Sequence, residues 1–195
     1  MSRPPYTFIP IYPYDFKVVK QSKSFEMIHN YKNIHYTTMQ LLWLVALRVL
    51  IGWHFLYEGL VKVVNPNWSS AGYLMDSQGL FSGFFQSLAT NQSVLSVVDF
   101  MNMWGLVAIG LGLLLGCFSR IALSGGIILL LFYYLSHPPF VGLKYGLPME
   151  GSYLIVNKNL IELAAMIVLL LFPTSKIIGV DRLIFKNKKY KNGTR

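Results

Sequence analysis

The chain has a single cysteine and few charges, and each shortage narrows what it can be. Cys117 alone excludes an internal disulfide and CxxC redox chemistry, and its place at the end of an apolar run beside Arg120 reads as a packed thiol. Charged residues make up 13% of the sequence, too little polar material for a separate soluble domain. A P-loop, a Gly-rich dinucleotide fingerprint and a nucleophile elbow are all missing. The first 36 residues hold no apolar core of signal-peptide length, so the first hydrophobic span is expected to act as its own insertion signal.

What is abundant is hydrophobic sequence, 54% of 195 residues, which places the chain among integral membrane proteins. The net charge of +9 invites a nucleic-acid reading until its distribution is seen. Residues 1–37 carry five Lys/Arg against two acids, and residues 174–195 carry seven against one. The stretch between holds five of each, so the excess lies in the tails, a positive-inside pattern with both termini cytoplasmic and no need for nucleic acid.

Three regions follow: a basic, Pro/aromatic tail (1–37), a membrane domain (38–173) and a basic tail (174–195) facing anionic lipid. Spans are expected at about 39–64, 94–116, 118–136 and 154–172, since about 20 apolar residues cross the hydrocarbon. The fold class is thus an all-α, antiparallel four-helix bundle in the membrane. Its long, aromatic, nearly uncharged outer loop after Asn65 is expected to hold a lid or an interfacial helix. On the second span, Asn102, Gly105, Ile109, Gly112 and Gly116 share a stripe suited to close backbone approach. Sequons at Asn67, Asn91 and Asn192 are read as chance matches.

The polar residues inside these spans carry the functional reading. A charge near the bilayer centre costs roughly 2.5–3.5 kcal/mol, so Arg48, His54, Glu58 and Lys62 on the first span need partners. His54, Glu58 and Lys62 follow at i,i+4 on one sector. In the expected topology they share the outer half of the bundle with Asp99, Asn102, His137, Lys158, Asn159 and Glu162, and Arg48 lies below them near mid-membrane. One reading is a polar site opening outward. The other is a structural ion-pair network, such as Arg48 with Glu162 and Lys62 with Glu58, that fixes helix register.

Few chemistries fit such a site. His54 and His137 are a poor axial pair for haem because His137 abuts two prolines, and His54 with Glu58 lacks a third metal ligand. No metal and no covalent cofactor is expected. A small polar ligand or a quinone head group fits, with Glu58, Glu162 and His54 moving protons, Arg48 acting electrostatically, and Asp99, Asn102, Asn159, Lys158, Lys62 and His137 binding.

The strings RVLIGWHFLYEGLVKVVNPNW, LGLLLGCFSRIA, NKNLIE and FPTSKIIGVDRL, in that order, resemble the DoxX/DoxD family of small four-span membrane proteins over about residues 48–183. The NKNLIE and GVDR strings look closest to the DoxD branch. That resemblance implies a prokaryotic cytoplasmic membrane and a subunit of a thiosulfate:quinone oxidoreductase, with Arg48, Glu58, Asn159 and Glu162 at matching polar positions. Two functions stay open: a quinone-linked redox subunit, or a non-catalytic scaffold or ligand-binding anchor. In the second, the N-terminal tail and outer loops dock other subunits of an envelope complex.

Overall fold

Helix starts and stops follow from local chemistry in the computed structural model, which describes residues 36–147 and 154–184. The Pro/aromatic and basic stretch expected at 1–35 and the end of the basic tail, 185–195, lie outside the described residues. Helix α1 (Thr38–Val64) opens on a capping box in which Thr37 Oγ1 accepts from Gln40 N while Thr37 N donates to Gln40 Oε1. It closes at Asn65, before Pro66.

The segment that follows contains α2 (Ala71–Met75) and α3 (Ser82–Thr90). Asn91 Oδ1 then accepts from Ser93 N and Val94 N to start α4 (Gln92–Leu115). Gly116 ends α4 with φ 65°, the left-handed conformation that glycine adopts most readily, and α5 (Ser119–Ser136) follows almost at once. Asn157 Oδ1 caps α6 (Lys158–Leu171) through Leu160 N.

The described residues form a helical membrane bundle with no β-strand. Helices α1, α4 and α5 are long and apolar enough to cross a bilayer. Helix α6 was expected to span 154–172, but it begins only at Lys158 and has 14 residues. At 1.5 Å per residue it rises about 21 Å, short of a hydrocarbon core roughly 30 Å thick. Thus three of the four packed helices qualify as spans by length.

Packing runs in the order α1, α4, α5, α6, with α1 and α6 meeting only lightly. The α1–α4 seam is tight because glycines on both helices face backbone. A Cβ on Gly59 would stand 2.7 Å from Val107 N, one on Gly52 would stand 3.0 Å from Leu114 N, and one on Gly110 would collide with Leu56. Of the expected stripe, Gly112 packs against Ala122 of α5 and Gly116 against Gly179, whereas Gly105 faces open space and the close approach to α1 is made by Gly110. Ile51, Phe55, Leu106, Leu113, Leu123, Leu130, Met166 and Leu169 fill the interior. Outward, Leu50, Trp53, Phe100, Met101, Ile121 and Ile128 are more than half exposed, the surface a lipid-facing bundle presents.

The segment after Asn65 is ordered by its own small core. Leu74 of α2 and Phe85 of α3 bury against Leu95, backed by Val98 and Leu135. It roofs one end of the bundle, the loop end. The other, the turn end, holds the α4–α5 turn and residues 173–184.

Candidate functional site

Beneath the roof lies a cavity of about 800 Å³. Its walls are His54, Phe55, Glu58 and Lys62 of α1, Asn102 and Leu106 of α4, Leu130 and Tyr133 of α5, and Lys158, Asn159 and Glu162 of α6. Trp68 and Tyr73 close it from the first loop, and Phe140, Leu143 and Tyr145 from the second. Such a chamber, mostly apolar with a few convergent polar groups, is the usual form of a small-molecule site.

His54 and Glu162 meet across the loose α1–α6 seam, with Nδ1 donating to Oε1 at 2.8 Å. The carboxylate side chain is 12% exposed and the imidazole 47%, so the pair stands where the cavity reaches the bundle surface. With Nδ1 engaged, Nε2 is the nitrogen left for a ligand. Glu58, one turn from His54, lies 3.7 Å from Lys62 Nζ. That same ammonium donates to Asn102 Oδ1 at 3.4 Å and lies over the rings of Trp68 and Tyr133. Asn102 Nδ2 in turn donates to Tyr133 Oη at 2.8 Å.

Thus His54, Glu58, Lys62, Asn102, Lys158, Asn159 and Glu162 converge on one chamber. Arg48, Asp99 and His137 do not line it. The expected Arg48–Glu162 pair is absent, because Arg48 belongs to the turn end. Its buried guanidinium donates to Thr174 Oγ1 at 3.0 Å and to the Ile178 carbonyl at 2.8 Å, and lies against Gly116. Asp181, in the same segment, accepts from Phe118 N and Ser119 N at the start of α5, and its own N–H donates to Gly116 O. A carboxylate there meets otherwise unpaired N–H groups and the positive end of the helix dipole.

Asp99 is committed to the roof. It accepts from Ser69 Oγ at 2.8 Å, from Ser70 N at 2.8 Å and from Ser70 Oγ, fixing the start of α2. His137 is fully buried, stacked on Tyr73 at 3.9 Å between centroids and tilted on Tyr145 at 4.7 Å. Its Nδ1 meets Ser136 Oγ at 3.1 Å, while Nε2 has no hydrogen bond among the described residues and stands 3.9 Å from Asp76 Oδ2. Burial lowers the imidazole pKa, and Asp76 opposes that shift.

Asp76 joins the two loops by accepting from Gly146 N at 3.0 Å and Leu147 N at 3.1 Å. Those backbone bonds, Gly146 first, hold its carboxyl below the usual carboxylate range. Burial raises the phenol pKa values of Tyr73 and Tyr145.

Sequence reasoning did not assign Tyr133, Trp68, Tyr73 or Tyr145 to the site, nor give Asp76 and Asp181 structural roles. The available signal was the concentration of aromatics in a loop almost free of charge. Among the described residues no group of three His, Cys, Asp or Glu is placed to hold a metal ion.

Searches of curated proteins and of solved structures each returned no match. A family model does match: the DoxX model aligns with residues 43–138, from the second turn of α1 to just past the end of α5. The NKNLIE and GVDR strings lie beyond that match. A DoxX-family membrane domain therefore occupies residues 43–138 of this chain.

Proposed function

We propose that the cavity is a quinone site and that the chain is the membrane subunit of a quinone-linked oxidoreductase in a prokaryotic cytoplasmic membrane. The observation that carries this reading is the His54–Glu162 pair at 2.8 Å, set in the seam where α1 and α6 scarcely touch. A lipid-soluble ligand enters from the side, with its ring in the chamber and its tail leaving between these helices. His54 and Glu162 hold a proton at the opening, within reach of a ring oxygen.

Reduction of a quinone consumes two electrons and two protons. The electrons come from a reduced sulfur compound of the thiosulfate kind, oxidised on the loop side by the complex. The His54–Glu162 pair delivers one proton, Glu58 is placed for the second, and both are replenished from solvent. The roof faces outward in this scheme, and both tails lie in the cytoplasm. Arg48 acts in assembly rather than at the ring.

One observation favours the alternative of a non-catalytic anchor: the roof leaves Met75, Leu80, Phe81 and Phe84 half exposed or more, a surface on which another subunit could sit. The deciding experiment puts the purified chain in phosphatidylcholine nanodiscs and titrates it with decylubiquinone, reading tryptophan fluorescence. Saturable quenching that weakens in Glu162→Gln supports the quinone site. Absence of saturable binding leaves the anchor reading.

A further inference from the structure

A second set of donors faces the cavity about two turns along α1 from His54. Lys62 Nζ lies 5.4 Å from the Trp68 ring centre and 5.9 Å from that of Tyr133, with its side chain 17% exposed. Its bond to Asn102, at 3.4 Å, is long, and its distance to Glu58 is longer still, 3.7 Å. Tyr133 Oη accepts from Asn102 and makes no other hydrogen bond among the described residues, which leaves its own proton to be given. Both donors line the chamber.

The backbone rise along α1 from one pole to the other is of the length of a particular ligand shape. Lys62 is eight residues beyond His54, a rise of about 12 Å along α1. A six-membered ring with oxygens on opposite carbons, extended by a hydrogen bond at each end, spans on the order of 11 Å. Between the poles the wall holds the buried side chains of Phe55, Leu106 and Leu130, with the Glu58 carboxylate on the α1 side.

We propose that Lys62 and Tyr133 take the second oxygen of a para-dioxygenated ring whose first oxygen is held at His54, so that the cavity selects two-oxygen rings over one-oxygen analogues. This rests on the quinone reading and adds the residues that set its specificity. Asn102 is a positioning residue, since it orients Tyr133 without needing to touch the ring.

The test compares menadione, with two ring oxygens, and 1-tetralone, with one, on the full chain in phosphatidylcholine nanodiscs. Lys62→Met and Tyr133→Phe are each expected to weaken menadione about tenfold, the loss of one hydrogen bond to a ligand oxygen, and to change 1-tetralone by no more than about twofold. Equal weakening of both probes, or of neither, overturns the two-point arrangement and leaves the quinone site standing. Failure of the wild-type chain to bind menadione overturns the quinone reading itself, and this inference with it. Tyr133→Phe removes a single oxygen atom, so it answers the question even where Lys62→Met does not fold.

Discussion

Arg48 and Thr174, 126 residues apart, are joined by a 3.0 Å hydrogen bond that ties α1 to the segment after α6. Both residues are buried, and the guanidinium also reaches the Ile178 carbonyl. Arg48→Met strands these acceptors. At roughly 1.5–3 kcal/mol for each of the two hydrogen bonds to a charged group, the expected loss is about 3–6 kcal/mol, read as a lower melting temperature in detergent. Arg48→Lys recovers only part of this, because an ammonium cannot reproduce the planar fork. Quinone affinity of the folded fraction stays unchanged; a drop in affinity at unaltered stability would return Arg48 to the site.

Much of this architecture was legible in the sequence, and the two ends of α1 show where legibility stops. Hydrophobic runs and the Asn65–Pro66 break locate the helix, and the i,i+4 spacing of His54, Glu58 and Lys62 gives the face that lines the cavity. Depth was not readable. Arg48 is ten residues inside α1, yet its guanidinium lies against Gly116 at the C-cap of α4, because α1 starts well before its neighbour ends. Asp99 and His137 were grouped with the site by depth alone. Which way each faces depends on how the roof folds over α4 and α5, a tertiary choice that no local period encodes. Similarly, α6 starts late because Asn157 offers a cap, overriding an apolar run that begins earlier.

The glycines give a second test. Gly110→Ala drives a methyl group into the backbone of Leu56, and Gly59→Ala places one 2.7 Å from Val107 N. Since backbone cannot yield as a flexible side chain does, each substitution should cost about 1–3 kcal/mol by forcing α1 from α4. Gly105→Ala, with nothing within 4 Å of its Cβ, should be neutral or slightly stabilising through helix propensity. Thermal unfolding of the three variants side by side checks this. Equal effects would mean that the α1–α4 contact is not where it is placed.

Glu162→Gln keeps the size of the side chain and removes its charge and basicity. If the His54 pair supplies a proton to the bound ring, quinone reduction by the complex should fall roughly 10²-fold, the lower end of general acid–base effects, with KM altered far less. Stability should change little, since His54 is nearly half exposed. A variant with full turnover and weakened quinone binding would make the pair a binding contact only.

Acid should loosen the roof in two steps of different origin. His137, fully buried, resists the proton that the unfolded chain accepts near pH 6.5. Its contribution is therefore intact above about pH 6.5, and is lost as pH falls from there through the depressed folded value. Asp76 acts lower on the scale. Its carboxyl, held down by the N–H groups of Gly146 and Leu147, stabilises the joined loops above about pH 3.9 and stops doing so as pH falls through its folded value. Hydrogen exchange at those two amides, expressed as protection factors to remove the intrinsic pH dependence, reports both steps. Between pH 7.5 and 5 protection should fall roughly 3–10-fold in the native chain. In His137→Phe, which keeps a ring against Tyr73 but cannot titrate, that first step should vanish while the second persists. Protection that is flat from pH 7.5 to 5 in the native chain would show that His137 accepts its proton without cost, through the carboxylate 3.9 Å away.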